Sequence, residues 1–302
     1  MLTKREIFLS AINHRDTGKA PVDFGATTVT GMHIYCVDGL RRHYGIWNGP
    51  VRLLEPYQML GVIEDDLADA MGVSVAGVTK GKTLFGFKTV DWKEHTLDNG
   101  LEVLVPGMFN VTRDAAGNTY LYPEGDVTAP ASGKMPKGGL YFDAIIRQEP
   151  IDEDNLRADD NLVEFGYATD ENVQFQLDAL NRLHTRDVGV MTNLGGTGLG
   201  DIAHVPACQL KHPKGIRDVA EWYMSLVTRK SLVHEIFERQ TDIALENLKK
   251  YAASIGGLPD VVFICGTDFG TQHSTFCSQE TFRELYMPYY KKITEWIRSN
   301  TD

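Results

Sequence analysis

The stretch DVVFICGTDFGTQHSTFCSQETFRELYMPYYKKI, residues 260–293, sets an apolar run against a glycine-punctuated polar loop and then a helical pattern. A run that is apolar almost throughout fits a strand buried on both faces, as parallel sheets require. The reading is a strand over 260–266, with Gly266 to His273 forming the loop beyond its carboxyl end. Ser278 has the chemistry of an N-cap, and Glu280 in the first turn suits the helix dipole. Phe282, Leu285, Tyr289, Ile293 and Ile297 recur at helical spacing and mark the core face. Pro288 interrupts that run, which predicts a kink or break with Pro288 opening a second helical segment.

Outward from this stretch the same rhythm repeats. Thr3 and Glu6 form a capping-box pair ahead of a first helix, APVDFGAT (20–27) reads as a short strand ending at Asp23, and GMHIYCVDGLRRHYG (31–45) as a helix. EDDLADAMGVSVAGV (64–78) gives helix then strand, and DVGVMTN (187–193) follows a helix over about 170–185. Further helices are expected over about 216–229 and 231–255. Between about 82 and 124 the period changes to two, with turn signals at Asp98-Asn99-Gly100 and Ala116-Gly117-Asn118, so an antiparallel meander is expected there. The proline- and glycine-rich stretch 126–139 reads as loop.

Strands alternating with amphipathic helices predict an α/β fold. The reading is a single domain over 1–302, a (β/α)8 TIM-type barrel with the meander inserted at about 82–124. Fewer strands are legible than such a barrel needs, so the barrel is expected to be incomplete in this chain, with its remainder beyond Asp302.

A formal charge of -11 disfavours nucleic acid as a partner, which normally needs a basic face. No stretch approaches the apolar length of a membrane helix, and the polar start does not suit a secretory leader, so a cytoplasmic protein without membrane contact is expected. The four cysteines show no paired spacing and read as free thiols.

Polar residues just past strand ends are where a parallel barrel places its chemistry. They are Asp23, Asn193, Asp268, Gln272 and His273. Asp268 suits acid–base or positioning work, against the plainer role of shaping its own turn. His273 and Cys277 are too isolated for a zinc signature. NLGGTGLGD (193–201) lacks the frame of a nucleotide loop, although its backbone amides have the freedom to approach a ligand. His204, His212 and His234 read as surface or satisfied histidines, Trp92 and Trp222 as packing residues, and Cys265 as a small core residue.

The segment GTDFGTQHSTFCSQETFRELYMPYYKKITEWI resembles the Asp-x-Gly-x-Gln, Ser-Pro-Glu-x-Phe/Trp-Arg-Glu and Tyr-Lys-Lys-Ile pattern of the uroporphyrinogen decarboxylase superfamily, with Gln279 where the family usually has proline. LTKREIFLSAINHRDTGKAPVDFGA is similar to its first helix and strand, and EPYQMLGVIEDDLADAMGVSVAGV to its cobalamin-linked branch. The resemblance implies a (β/α)8 barrel and a corrinoid-dependent methyltransferase, of the methylcobamide:coenzyme M type. Such an enzyme moves a methyl group between a small-molecule donor or thiol and a separate corrinoid protein. It implies zinc, with ligands expected beyond Asp302, and carries over Asp268 and Gln272 as catalytic residues, with Asp23, Asn193 and His273 lining the substrate site. The alternatives are a decarboxylase of the uroporphyrinogen type and a non-catalytic member. DFGATTVTGMHI (23–34) has no arginine where the decarboxylases carry the guanidinium groups that neutralise their substrate.

Overall fold

The computed structural model describes residues 2–78 and 81–301. After Thr3, whose side chain accepts from the Glu6 amide, comes α1 (Lys4–Ile12), and after His33 comes α2 (Ile34–His43). Strands β1 (Val51–Glu55) and β2 (Leu60–Gly61), helix α3 (Asp65–Ala70) and strand β3 (Val75–Val78) follow. Six short strands come next: β4 (Lys93–Thr96), β5 (Glu102–Val105), β6 (Val111–Arg113), β7 (Thr119–Leu121), β8 (Gly133–Met135) and β9 (Asp143–Ala144). The remainder alternates: α4 (Asp170–Leu183), β10 (Gly189–Thr192), α5 (Val219–Thr228), α6 (Lys230–Ile255), β11 (Val261–Val262), α7 (Gln279–Thr281) and α8 (Met287–Asn300).

Three strands form the expected parallel sheet, in the order β11-β10-β3. Its two faces alternate as strand geometry demands. Val78 and Val190 turn to one side and pack with Leu180 and Leu183 of α4 and Tyr251 and Ile255 of α6. Val75 turns to the other side, where Phe8 and Leu9 of α1 cover it together with Met191 and Val261. Gly189 is obligatory there, since a Cβ on it would lie 2.0 Å from the Phe8 ring.

The stretch 20–27 corrects the expectation of a strand. Val22 is tied to β3 by accepting the Ser74 N–H at 2.9 Å and donating to Ser74 Oγ at 2.7 Å. Pro21 has no N–H to extend a ladder, and the chain bends from Phe24 onward. The bend folds across β3, where a Cβ on Gly77 would meet the Ala26 carbonyl at 1.8 Å. The segment therefore runs beside β3, in chain order with β10 and β11, without being a regular strand.

The period-two region also departs from expectation. Its strands exist but belong to two sheets, and both recruit strands from outside 82–124. In the order β2-β1-β5-β4, β1 runs parallel to β5 while the other pairings are antiparallel. The second sheet, β6-β7-β8-β9, is antiparallel throughout, and β8 comes from the stretch read as loop. Leu53, Val103, Val105, Phe85, Phe109, Leu121 and Phe142 share one core.

Ser278 caps the closing helix by accepting the Thr281 amide. The interruption expected at Pro288 takes the form of a π turn over Phe282–Tyr286, directly before α8. Widening the turn before a residue without an N–H spares a broken hydrogen bond. The whole is a mixed α/β arrangement of three sheets, none of which closes on itself among the described residues. No helix among the described residues is long and apolar enough to cross a membrane.

Candidate functional site

Beyond β10, Asn193 accepts the Gly195 N–H on Oδ1 at 2.9 Å and starts the glycine loop. Gly195 and Gly196 both have positive φ, 75° and 77°, a turn only glycine makes without strain. Gln240 of α6, 2% exposed, donates to the carbonyls of Gly196 and Gly198 at 2.9 and 3.3 Å. Thr197 donates to the Ile264 carbonyl, Thr267 donates to the Leu199 carbonyl at 3.2 Å, and the Leu199 N–H donates to Tyr290 Oη at 3.2 Å. The loops leaving β10 and β11 are thus stapled together, which fixes one polar end to the sheet.

After β11 the chain forms a small hairpin. Phe276 N–H donates to the Phe269 carbonyl at 3.0 Å and Thr271 N–H to the Ser274 carbonyl at 2.7 Å. Two aromatic anchors hold its base. Phe269 packs edge-on against Phe282 and Tyr286, each 5.1 Å away, and Phe276 stacks on Tyr223 at 4.7 Å. Gln272 and His273 sit exposed at the tip, and Asp268 lies exposed at the base. None of these three side chains makes a hydrogen bond among the described residues, so each keeps its full capacity for a ligand.

Around that base stand groups the sequence did not mark as functional. Tyr223 of α5 is half-buried, and its hydroxyl is enclosed with no hydrogen-bond partner among the described residues. Burial, then the neighbouring Asp268, Cys277 and Asp201, push this phenol up to about 12, so it remains a donor at neutral pH. Burial likewise raises the Cys277 thiol, and raises Tyr290 together with Cys265. Cys265 is half-buried beyond β11, not in a core strand, and its Cβ lies 3.8 Å from the position a Gly198 Cβ would take, as does that of Asp201. A tyrosine on an amphipathic helix carries no local sign of such surroundings, and the reading of 193–201 did not single out Asp201.

Asn193 and Asp268 lie on the two loops that the structure joins. Asp23 is set apart: its neighbour Val22 is level with the entry of β3, and its Oδ1 accepts from the Ala26 N–H at 3.1 Å and Thr30 Oγ1 at 3.0 Å. It shapes a turn. The turn it shapes does reach the exit loops, since a Cβ on Gly266 would come within 3.0 Å of Val29. His234 bonds Tyr289 Oη at 2.9 Å, and Trp222 is 3% exposed in the core, as their plainer readings anticipated. Among the described residues no three His, Cys, Asp or Glu side chains gather so as to hold a metal ion.

Against protein-family models, curated proteins and solved structures, the chain matches none.

Proposed function

We propose that the chain is a methyltransferase of a corrinoid system, built on a (β/α)8-type barrel and resembling the cobalamin-linked branch of the uroporphyrinogen decarboxylase superfamily. Its small-molecule site lies where β10 and β11 end. The observation that carries this reading is the joining of the glycine loop to the Asp268 loop at the carboxyl ends of parallel strands that follow one another in chain order. Side chains projecting from that end of parallel strands are the ones such folds use for chemistry.

The open edge of β11 borders a cleft of about 340 Å³ walled by Leu248, Ile255, Val262 and Trp296. In this reading Asp268 and Gln272 contact the methyl donor or thiol acceptor, Asn193 holds the loop that faces them, and His273 reaches the ligand from the hairpin tip. A corrinoid carried by a partner protein supplies the cobalt that takes or gives the methyl group. The described residues do not by themselves offer a zinc centre.

The absence of arginine from 23–34 weighs against the decarboxylase alternative, whose polycarboxylate substrate needs guanidinium groups to neutralise it. The test is to mix the purified protein with cob(I)alamin and, in turn, methanol, methylamine and 2-methoxyphenol, and with methylcobalamin and 2-mercaptoethanesulfonate. Formation or consumption of methylcobalamin, lost in Asp268→Ala, is the expected result. Carbon dioxide release from uroporphyrinogen with no methyl transfer would replace this reading by the decarboxylase.

A further inference from the structure

Residues of the β2-β1-β5-β4 sheet and of the β6-β7-β8-β9 sheet together line a cavity of about 30 Å³, which shares no residue with the loops after β10 and β11. Thr119 of β7 sits in a cross-strand row between Arg113 of β6 and Met135 of β8, on the same strand face as the buried Leu121. All three members of the row line the cavity. His95 of β4, set edge-on to Phe109 at 5.4 Å, adds a further wall, and the N-terminal end of α2 adds His33 and Tyr35. A water occupies roughly 10–15 Å³ of such space, so the cavity takes about two waters or a ligand of similar bulk.

Its polar groups divide into paired and unpaired. His33 is fully engaged: Nδ1 accepts the Tyr35 N–H at 3.2 Å, so Nε2 carries the hydrogen and donates to the Leu140 carbonyl at 2.9 Å. Arg113 and Asp98 pair with each other, and their side chains, 52% and 38% exposed, mark the mouth. Thr119 is only 4% exposed, yet its hydroxyl makes no hydrogen bond among the described residues, and neither do the side chains of the half-buried Tyr35 and His95. Buried hydroxyls almost always find a partner. Burial, then Arg113 and Lys93, hold His95 below its usual range, so the ring is uncharged at neutral pH and, like the two hydroxyls, can both donate and accept.

We propose that this cavity is a second ligand site, taking a small uncharged hydroxyl or carboxamide compound that exchanges hydrogen bonds with Thr119, Tyr35 and His95. The single cation and the single anion of the lining answer each other. An ion of either sign would have to break that pair or enter without a counter-charge, a cost that a neutral molecule avoids. Water satisfies the polar groups too, but Met59, Leu97, Phe109, Met135 and Phe142 are apolar, and they favour a ligand that brings a carbon to them. The site does not depend on methyl transfer, since it lies apart from Asp268.

Saturation-transfer NMR on the full chain, with ethanol, formamide, formate and methylammonium each in large excess, reads the site. Ethanol or formamide should receive saturation, and the two ions should not. Thr119→Val keeps the shape and removes the hydroxyl, so it should weaken binding about fivefold, the loss of one hydrogen bond, without lowering Tm; Thr119→Ser should retain binding. Unaltered binding in Thr119→Val overturns the proposal, and so does a fall in its Tm, which would mean that the hydroxyl has a partner in the fold. Should that variant not fold, unaltered binding in Tyr35→Phe, which leaves the sheet untouched, decides against the site in its place. Equal binding of formate or methylammonium overturns the ligand class, and transfer to none of the four means that the cavity holds water only, which overturns the site.

Discussion

The two ends of the parallel sheet are built differently. At the entry end, Lys4 and Arg5 amides donate to Asp187 at 3.0 and 3.4 Å. Arg5 donates to Asp260 at 2.6 Å, Asp260 accepts the Val190 N–H at 2.8 Å, and Lys4 pairs with Asp69 at 2.8 Å. Phe8 fills the space over Gly189. At the exit end, Asp268, Gln272 and His273 stand exposed without side-chain hydrogen bonds among the described residues, and the Tyr223 hydroxyl has no partner among them. One end spends its polar groups on the fold, while the other leaves them available. A scaffold that holds a ligand needs both, because the loops at the exit are positioned only as well as the strands beneath them are fixed.

The largest test of that contrast is Phe8→Ala. It should cost about 3–5 kcal/mol, as a buried aromatic truncation does, measured by urea unfolding. A cost below about 1 kcal/mol would mean that α1 does not secure the sheet.

Next comes a matched pair of aspartates. Asp260→Ala removes the acceptor of Arg5 and of the Val190 amide and should cost about 2 kcal/mol. Asp268→Ala should change stability by no more than about 0.5 kcal/mol, since its exposed side chain makes no hydrogen bond among the described residues, yet lower ligand binding or methyl transfer by about tenfold or more. Equal stability losses in the two variants would erase the distinction.

The smallest effects should separate the ends by pH. Lys4 bonding holds Asp69 below the usual carboxylate range. Burial pushes Asp187 up, but hydrogen bonds from Thr3, Lys4 and Arg5 outweigh it and leave that group lowered too. A depressed folded value contributes stability above the unfolded value, about 3.9, and loses it as pH falls. Pepsin should therefore begin to cut within α1 below about pH 4. Tyr223, at about 12, and Tyr286 and Tyr290 are raised by burial. Their contribution is complete below the unfolded value of about 10 and is lost as pH rises above it. Tyrosinate absorbance should show these three ionising above the others, and early ionisation of Tyr223 would contradict its enclosure.

Much of the alternating half was legible because its signals are local. Thr3 with Glu6, and Ser278 with the Thr281 amide, are capping contacts a few residues apart. The apolar runs of β3, β10 and β11 are visible in the sequence alone. What escaped was set by distant partners. β1 pairs in parallel with β5 about fifty residues on, and nothing within VRLLE announces it. β8 hides in a proline-rich stretch because β7 supplies its hydrogen bonds. Asn193 and Asp268 were singled out by position after a strand, and the structure puts them on loops that are bonded together, whereas the stacking of Tyr223 on Phe276 became visible only when α5 and the hairpin were placed against each other.

The π turn at Phe282–Tyr286 sets the phase of everything after it. A regular helix advances about 100° per residue, so excising one residue from this wide turn would rotate α8 by roughly that angle. Tyr289 and Ile293 would leave the interior, and Tyr290 would swing away from Leu199. The single surplus residue therefore acts as a clocking device, aligning a helix that faces the hydrophobic interior with a hydroxyl that must reach the glycine loop.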